Sequence, residues 1–404
     1  MLKFLFVILL FIQSSYAFLV TQNNFKEQVL VLKSFDIDSN FLKDKIFMSM
    51  REDVNRYRTK HFLKVLEEGN RFVPYLRKMI SDSGIPKAFL YLAMAESNFA
   101  PNAYSKARAV GLWQFMPATA KHFGLKINSY IDERKDPVKS TEAAIKYLKY
   151  LHGIFGKWYL AAIAYNCGEG TVLRAIKRAK TDNLNVLLNG KKRYLPKESR
   201  MYIRKIVMME SLANSADFII ENNSDYLLNG GSAETFAKVI VKQGTSLGAV
   251  ASSIGLSLKE IRSYNPQLKH DFVPPFAGKY AIYIPYNKQA DFRQNFDPSK
   301  NNSRFYVYTV KKGDSLARIA RRYHIHYQMI KDYNHLKSNW LHVKQSLIIP
   351  VVKPSMISYV IKKGDTLGKV SQKFNVAVNT LIRANNKTNS LIVIGEKLVI
   401  PQMQ

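Results

Sequence analysis

The sequence predicts a multidomain protein, with a mainly α body followed by small α+β modules of strand-helix-helix-strand (βααβ) order. Three observations carry this. Tyr308-Thr-Val-Lys-Lys-Gly-Asp-Ser-Leu316 returns as Tyr359-Val-Ile-Lys-Lys-Gly-Asp-Thr-Leu367 at an offset of 51 residues, and the copies close on Ile349-Pro350 and Ile400-Pro401. Upstream, from residue 18 to about 230, apolar residues recur at helical rather than alternating spacing. The length of 404 residues fits two or three domains at roughly 150 residues each. With 47% of residues apolar, the chain can bury proper cores, which excludes a mainly disordered protein.

The chain opens on an address. Lys3 supplies a positive charge, Phe4 to Ile12 form an apolar run, and Ser15-Tyr16-Ala17 reads as a small-x-small cleavage site. This is the layout of a secretory signal peptide over residues 1–17, cut after Ala17. The run is short for an uncleaved anchor, and no other run suggests a transmembrane bundle. No Cys follows it, so a lipid-modified N-terminus is not expected. The single Cys, Cys167, excludes an internal disulfide framework and a Cys-based zinc cage, and reads as a small buried hydrophobe. The formal charge of +31 predicts attraction to a polyanion: nucleic acid, anionic lipid or an acidic cell-wall polymer. Export weakens the nucleic-acid reading. What remains is peripheral association with the membrane or wall.

Residues 18–71 read as an N-terminal helical extension in which no chemistry is visible. From Arg71 the pattern changes, and Pro74 and Pro86 sit where helices start. The stretch Ile85 to Phe99 is nearly uncharged, and it ends on Glu96-Ser97-Asn98. Leu92 and Ala93 place Glu96 on a buried helix face. Burial of a lone carboxyl raises its pKa, so that it can hold a proton near neutral pH and donate it as a general acid. The same residues also fit a Glu at a frayed helix end that reaches solvent.

Two further stretches follow. In Gly111-Leu-Trp-Gln-Phe-Met-Pro-Ala-Thr-Ala120, Trp113 and Phe115 offer flat apolar faces suited to sugar rings. Gln114 can both donate to and accept from acetamido groups, and Pro117 with Thr119 opens a helix. The competing reading is a packed loop with core Trp and Met. In Ala161 to Gly170, Tyr165 and Asn166 end an apolar helix, and Gly168 and Gly170 turn the chain. The Tyr hydroxyl can orient a buried carboxyl, or the segment is an ordinary helix end. The Gly-x-Gly is too common to indicate phosphate binding, and no P-loop Lys follows it.

Each repeated unit opens on a strand of alternating Tyr and Val, turns at Gly-Asp, and caps a helix at Ser315 or Thr366. It closes on an apolar strand stopped by Pro. An Asn stands 21 residues after the Gly in both copies, as Asn334 and Asn385. A decayed third copy precedes them, with Val239 to Leu247, Asn265 and Ile284-Pro285. It carries Thr245 in place of the Asp. Asp291 to Arg304 and Val352 to Ser355 read as linkers.

These repeats resemble the LysM module, a binding unit for N-acetylglucosamine-containing glycans, over 236–286, 306–351 and 358–402. The resemblance implies a glycan groove between the strand-helix turn and the loop after the second helix. It implicates Gly313, Asp314, Ser315 and Leu316, and Gly364, Asp365, Thr366 and Leu367. The two Asp residues fit turn building and glycan binding equally. The missing Asp puts binding by the first copy in doubt.

Taken together, Glu96-Ser97, Gly111 to Pro117 and Ala164 to Gly168 resemble the family 1 lytic transglycosylases, over about 72–215. Glu198-Ser-Arg-Met-Tyr202 matches a fourth element of that family. The resemblance implies a lysozyme-like (SLT-type) fold and one catalytic carboxyl, Glu96, acting on peptidoglycan glycan strands. Glu96 would protonate the oxygen between N-acetylmuramic acid and N-acetylglucosamine, then act as base on the muramyl 6-hydroxyl, leaving a 1,6-anhydro end. Ser97 and Tyr202 would position Glu96. Gln114, Met116, Tyr165 and Asn166 would line the groove. No cofactor is implied.

Glycosidases more often use two carboxyls. Asp132, Glu133, Asp136, Glu142 and Glu169 fall inside the domain, and any of them holding a water opposite Glu96 would make a hydrolase. The eight His residues include His324, His326 and His335, read as surface or packing residues rather than metal ligands. Two other readings compete: a non-catalytic wall-binding scaffold, and a basic DNA-binder that the leader speaks against.

Overall fold

In the N-terminal body, helix starts and stops follow local chemistry. The computed structural model describes residues 22–54, 58–128, 130–224, 235–274, 278–298, 305–323, 325–334, 336–350, 355–374, 376 and 378–402. The leader read at 1–17, and His324 and His335, lie outside the described residues. Helices α1 (Gln22–Ser34), α2 (Lys45–Asp53), α3 (Thr59–Gly69) and α4 (Val73–Asp82) come first, and Pro74 sits in the first turn of α4. Asp44 caps α2 by accepting from the Phe47 amide, 2.8 Å away. The same carboxylate pairs with the buried Arg204, which ties the start of α2 to a much later helix.

Pro86 does not begin the next α-helix. It precedes a 3-10 turn at Lys87–Phe89, and α5 runs Leu90–Ser97. Helix α6 (Pro117–His122) opens at Pro117. Helix α7 (Pro137–Phe155) is capped by Asp136, which accepts from the Val138 and Lys139 amides, and it stops at Gly156 (φ 66°). Helix α8 (Trp158–Cys167) ends at Gly168 (φ 81°). Gly170 does not turn the chain: it lies in the first turn of α9 (Glu169–Ala179), because the reversal is already complete at Gly168. Helices α10 (Leu184–Leu187), α11 (Lys197–Ala213) and α12 (Ala216–Glu221) complete this helical part.

Strand β1 (Phe236–Lys242), helices α13 (Leu247–Ser253) and α14 (Leu258–Tyr264), and strand β2 (Lys279–Pro285) form the first βααβ unit, its two strands paired. The presumed linker after it is partly ordered. Residues Gln289–Asn295 form α15, where a 3-10 turn at Tyr286–Lys288 leads directly into the helix. The second unit is β3 (Phe305–Thr309), α16 (Leu316–Arg322), α17 (Tyr327–Tyr333) and β4 (Ser346–Pro350). The third is β5 (Ser355–Val360), α18 (Leu367–Phe374), α19 (Val378–Ala384) and β6 (Lys397–Gln402). Both later strand pairs are antiparallel, with Val307 opposite Ile348 and Ser358 opposite Val399. The mainly α body and the βααβ modules are therefore as expected.

The Asn shared by the units has one structural role in all three. Asn334 donates to the Ile330 and Ile348 carbonyls and accepts from the Ile348 amide, which clamps α17 to β4. Asn385 does the same with Leu381 and Val399, and Asn265 with Ile261 and Tyr283. A side-chain amide with donor and acceptor can satisfy both backbone groups of one strand residue, which neither Asp nor Leu can do.

The chain divides into two compact units. One holds residues 1–241, 250–271 and 281–296; the other holds 242–249, 272–280 and 297–404. A large core in the first unit runs from Leu32 and Phe35 through Leu92 and Ile163 to Phe236 and Tyr283. The later two βααβ units have small cores of their own, around Ile319 and Leu347 and around Val370 and Leu398. Among the described residues no helix is long and apolar enough to cross a membrane.

Candidate active site

Helix α5 is buried from Leu90 to Met94 and then ends abruptly. Asn98 (φ 52°) and Phe99 (φ 57°) take left-handed conformations, so the chain leaves the helix just beyond Ser97. Glu96 thus sits at the mouth of an apolar helix, half-buried. It does not fray into solvent. The Tyr202 hydroxyl, from α11, donates a 2.5 Å hydrogen bond to Glu96 Oε1. One turn further along α11, Lys205 donates to the Ala95 carbonyl at 2.9 Å and turns its charge toward Glu96.

The electrostatics follow from this enclosure. Burial pushes the Glu96 carboxyl above the ordinary carboxylate range. The Tyr202 hydrogen bond and the Lys205 charge pull it back down, and the nearby Glu198 charge pushes it up. Burial and the Glu96 charge together lift the hydroxyls of Tyr202 and Tyr165 far above 10, so both remain donors.

The Gly111 loop is held against this carboxyl from several sides. Ser97 donates to the Leu112 carbonyl (2.8 Å) and to Ala93 (3.1 Å), and Tyr165 donates to the Trp113 carbonyl (2.8 Å). Gly111 (φ 88°) lies so close to Arg134 that an added Cβ would stand 1.9 Å from its carbonyl oxygen. Gln114 (φ 47°) donates to the Gly111 carbonyl at 2.8 Å, so its amide secures the loop. Asn166 accepts from the Ser199 hydroxyl at 2.7 Å, linking α8 to α11. Met116 is exposed.

Glu96, Ser97, Tyr165 and Tyr202 are therefore brought together, with Gln114 and Asn166 in the surrounding framework. Trp113 and Phe115 are not presented to a ligand. Both are buried in the core, and Trp113 donates its indole N–H to Thr141 at 2.8 Å. A loop wedged between three helices has no free face for a large ring. Beside α5, a cavity of about 460 Å³ is lined by Met50, Phe62, Met94, Met201 and Met208. Its methionines come from three separate helices, a grouping that sequence spacing does not reveal.

Three of the five alternative carboxyls are engaged elsewhere. Asp132 forms a buried bidentate pair with Arg134, 2.7 and 2.9 Å. Glu133 accepts from the Lys126 amide and pairs with Lys139. Asp136 is the fully buried cap of α7. Glu142 is exposed on α7, and Glu169 opens α9 with its charge toward Tyr147. The acid whose charge does reach Glu96 is Glu198, one turn before Tyr202 on α11. His326 is exposed and accepts from the Gln328 amide, in keeping with a surface role.

In the later modules, Gly313 (φ 84°) and Gly364 (φ 90°) make the strand-helix turns. Asp314 accepts from the Lys311 amide and the Tyr308 hydroxyl, and Asp365 from Lys362 and Tyr359. Ser315 and Thr366 accept from the amides three residues on, as helix caps. The side chains of Leu316 and Leu367 are buried in the module cores and present no surface. What does stand out lies in the loop after the second helix. Trp340 is 85% exposed and Leu391 73%, with Val343, Val393 and Ile394 beside them. Lys344 and Gly395 hydrogen-bond to the Val310 and Ile361 carbonyls, which holds this loop against the end of the first strand. Apolar residues in a polar loop were the available signal.

Known families match three parts of the chain. The transglycosylase SLT domain family matches residues 75–187. The LysM-like domain of lytic transglycosylase MltD matches 235–301, and the LysM domain matches 308–350 and 359–401. The membrane-bound lytic murein transglycosylase D of Escherichia coli (strain K12) is 27% identical over 394 residues, covering 89% of this chain and 84% of the relative. The peptidoglycan transglycosylase gp16 of Escherichia phage T7 is 36% identical over 118 residues, covering 29% of this chain and 8% of the relative. Among solved structures, the 70 kDa soluble lytic transglycosylase SLT70 from Escherichia coli aligns at 24% identity and a TM-score of 0.30, covering 38% of this chain and 25% of that one.

Proposed function

We propose, on the premise that the chain carries a transglycosylase SLT domain, an MltD-type LysM-like domain and two LysM repeats, that Glu96 is the single acid/base of a peptidoglycan-cleaving enzyme. The protein is a lytic transglycosylase held on the wall by its LysM modules, in the manner its likeness to the Escherichia coli enzyme supports. The observation that carries the role of Glu96 is its enclosure: a half-buried carboxyl, raised by burial and gripped at 2.5 Å by Tyr202.

The steps follow from one carboxyl working twice. Protonated Glu96 donates to the oxygen linking N-acetylmuramic acid to N-acetylglucosamine, and the bond from that oxygen to the muramyl anomeric carbon breaks. The resulting carboxylate then takes the proton of the muramyl 6-hydroxyl as its oxygen attacks the anomeric carbon. The second step restores protonated Glu96, consumes no water and leaves a 1,6-anhydro end. Tyr202 stabilises the carboxylate between the two steps, and Ser97 fixes the helix end against the Gly111 loop. Tyr165, Gln114 and Asn166 hold the groove walls, and Met116 stands exposed beside them.

The LysM turns around Asp314 and Asp365, together with the exposed apolar loops, would take N-acetylglucosamine-containing strands. Two weak sites on one chain raise the effective concentration of the enzyme at an insoluble substrate. The protein works in the cell envelope. Export through a leader cut after Ala17 is part of this reading, as are domain limits at 18–71, 72–215, 236–286, 306–351 and 358–402.

Mass spectrometry of fragments released from purified peptidoglycan tests the proposal, with residues 18–404 run beside Glu96→Gln. Fragments one water lighter than hydrolytic products, absent with the variant, are expected. Full-mass reducing ends would instead mean a hydrolase. Retention on the wall without any release would mean a scaffold.

A further inference from the structure

Residues 235–241, 250–271 and 281–286 of the LysM-like unit belong to the first compact unit and are built into it in a way that binding glycan does not require. Residues 267–269 lie along 130–132. Asp132 donates its amide to the Gln267 carbonyl and Lys269 donates to Tyr130, each at 2.9 Å, with Ile131 bridged to Leu268. The Lys269 ammonium reaches the Asn128 carbonyl at 2.5 Å. Phe236 and Tyr264 pack edge-on against Phe72, and Arg71 lies over the Tyr264 ring. Deepest of all, the Tyr283 hydroxyl donates at 2.7 Å to Asp136, a carboxyl with no exposed surface.

The segment held in this way, 130–136, is the one that carries the Gly111 loop. Asp132 orients Arg134, and Arg134 donates to the Arg108 carbonyl (2.9 Å) and the Phe115 carbonyl (3.2 Å) at the two ends of that loop. The Arg134 carbonyl is the surface against which Gly111 packs. The loop in turn receives Ser97, the neighbour of Glu96, at Leu112. A run of hydrogen bonds, buried and part-buried, and close packing thus joins the LysM-like unit to the end of the catalytic helix. Such a supporting layer fixes a reacting group to within a fraction of an ångström.

We infer that the LysM-like unit is a positioning element of the active site, with Tyr283 as its positioning residue, and that its work is to hold the groove loop rather than to read the wall. This rests on the proposed transglycosylase activity. It also gives the absence of the turn Asp a reason: Thr245 stands there in a unit whose task is docking. Coupling of this kind is a physical claim only if perturbing one end is felt at the other.

The test uses the full chain and a soluble four-sugar peptidoglycan fragment. The wild-type protein must first release anhydro products from it; failure there overturns the function and not this inference. Tyr283→Phe keeps the ring and removes one hydrogen bond to a buried carboxyl. At a temperature well below its unfolding midpoint it is expected to lower kcat by roughly three- to tenfold, with co-sedimentation on insoluble peptidoglycan unchanged. Unaltered kcat and KM with weakened co-sedimentation would make the unit a glycan reader. Unaltered behaviour in both assays would make Tyr283 a packing residue. Either result overturns the inference. Should Tyr283→Phe fail to fold, Lys269→Met at the same junction decides: a reduced kcat on the short fragment supports positioning, and an unchanged one overturns it.

Discussion

The Tyr202 hydroxyl stands 2.5 Å from Glu96 Oε1, across 106 positions of sequence, and this bond stabilises the charged form of a carboxyl whose pKa burial raises. Its removal shifts that balance in a known direction. Tyr202→Phe takes away a contribution that lowers the Glu96 pKa, so the pKa rises. The limb on which kcat/KM falls with increasing pH is then expected to move to higher pH. A pH-rate profile on soluble glycan checks this, and an unmoved limb would assign it to another group. Glu96→Gln is expected to lower kcat on the order of 10²- to 10⁴-fold at all pH values.

Gly111→Ala introduces a methyl group 1.9 Å from the Arg134 carbonyl oxygen at a φ of 88°. The added carbon meets backbone, which cannot swing aside, and an L-residue is strained at that φ. A loss of about 3 kcal/mol or more is expected, read as a lower denaturant midpoint, together with loss of turnover.

Two buried carboxyls set the pH dependence of stability. Burial pushes Glu210 up to about 8 and Asp136 up to about 6, from ordinary values of 4.5 and 3.8. The folded chain therefore holds protons that the unfolded chain releases. Their contribution is complete below the unfolded values and is lost as pH rises through about 6 and then about 8. The unfolding midpoint is expected to fall across that window. Glu210→Gln should flatten the upper part of the decline, as thermal melts at a series of pH values would show.

Within the second LysM unit, clamp and surface are separable. Asn334→Ala breaks bonds to Ile330 and Ile348 and leaves buried backbone groups unpaired. A cost of about 2–3 kcal/mol is expected, seen as loss of the module's own unfolding transition. Trp340→Ala removes an 85% exposed ring. Stability should change by less than about 0.5 kcal/mol, while retention on insoluble peptidoglycan weakens.

Local pattern made part of this legible. The repeats, the caps at Ser315 and Thr366 and the apolar helix ending at Glu96 are short-range features, and they stand where spacing places them. The site itself was less so. Tyr202 was reachable through a family resemblance, since nothing local connects it to Glu96. Trp113 read more readily as core than as a sugar platform, although a loop sequence does not reveal which side will be covered; the ring is fully buried. The α15 helix hid behind polar residues typical of a linker. The Tyr283–Asp136 bond joins residues 147 apart in a repeat that looked like an autonomous module.

Phe236 and Tyr283 share a core with Leu32 and Leu92. A growing or threading polypeptide that has delivered only residues 1–235 has every residue of the Glu96 cluster in hand, yet its hydrophobic interior is still open on one side. Domains otherwise close as they emerge. Phe236 and Tyr283 fill that side, so the first βααβ unit completes the interior of the body that holds Glu96. A protease that cut the chain between them would leave two pieces, neither with its interior complete.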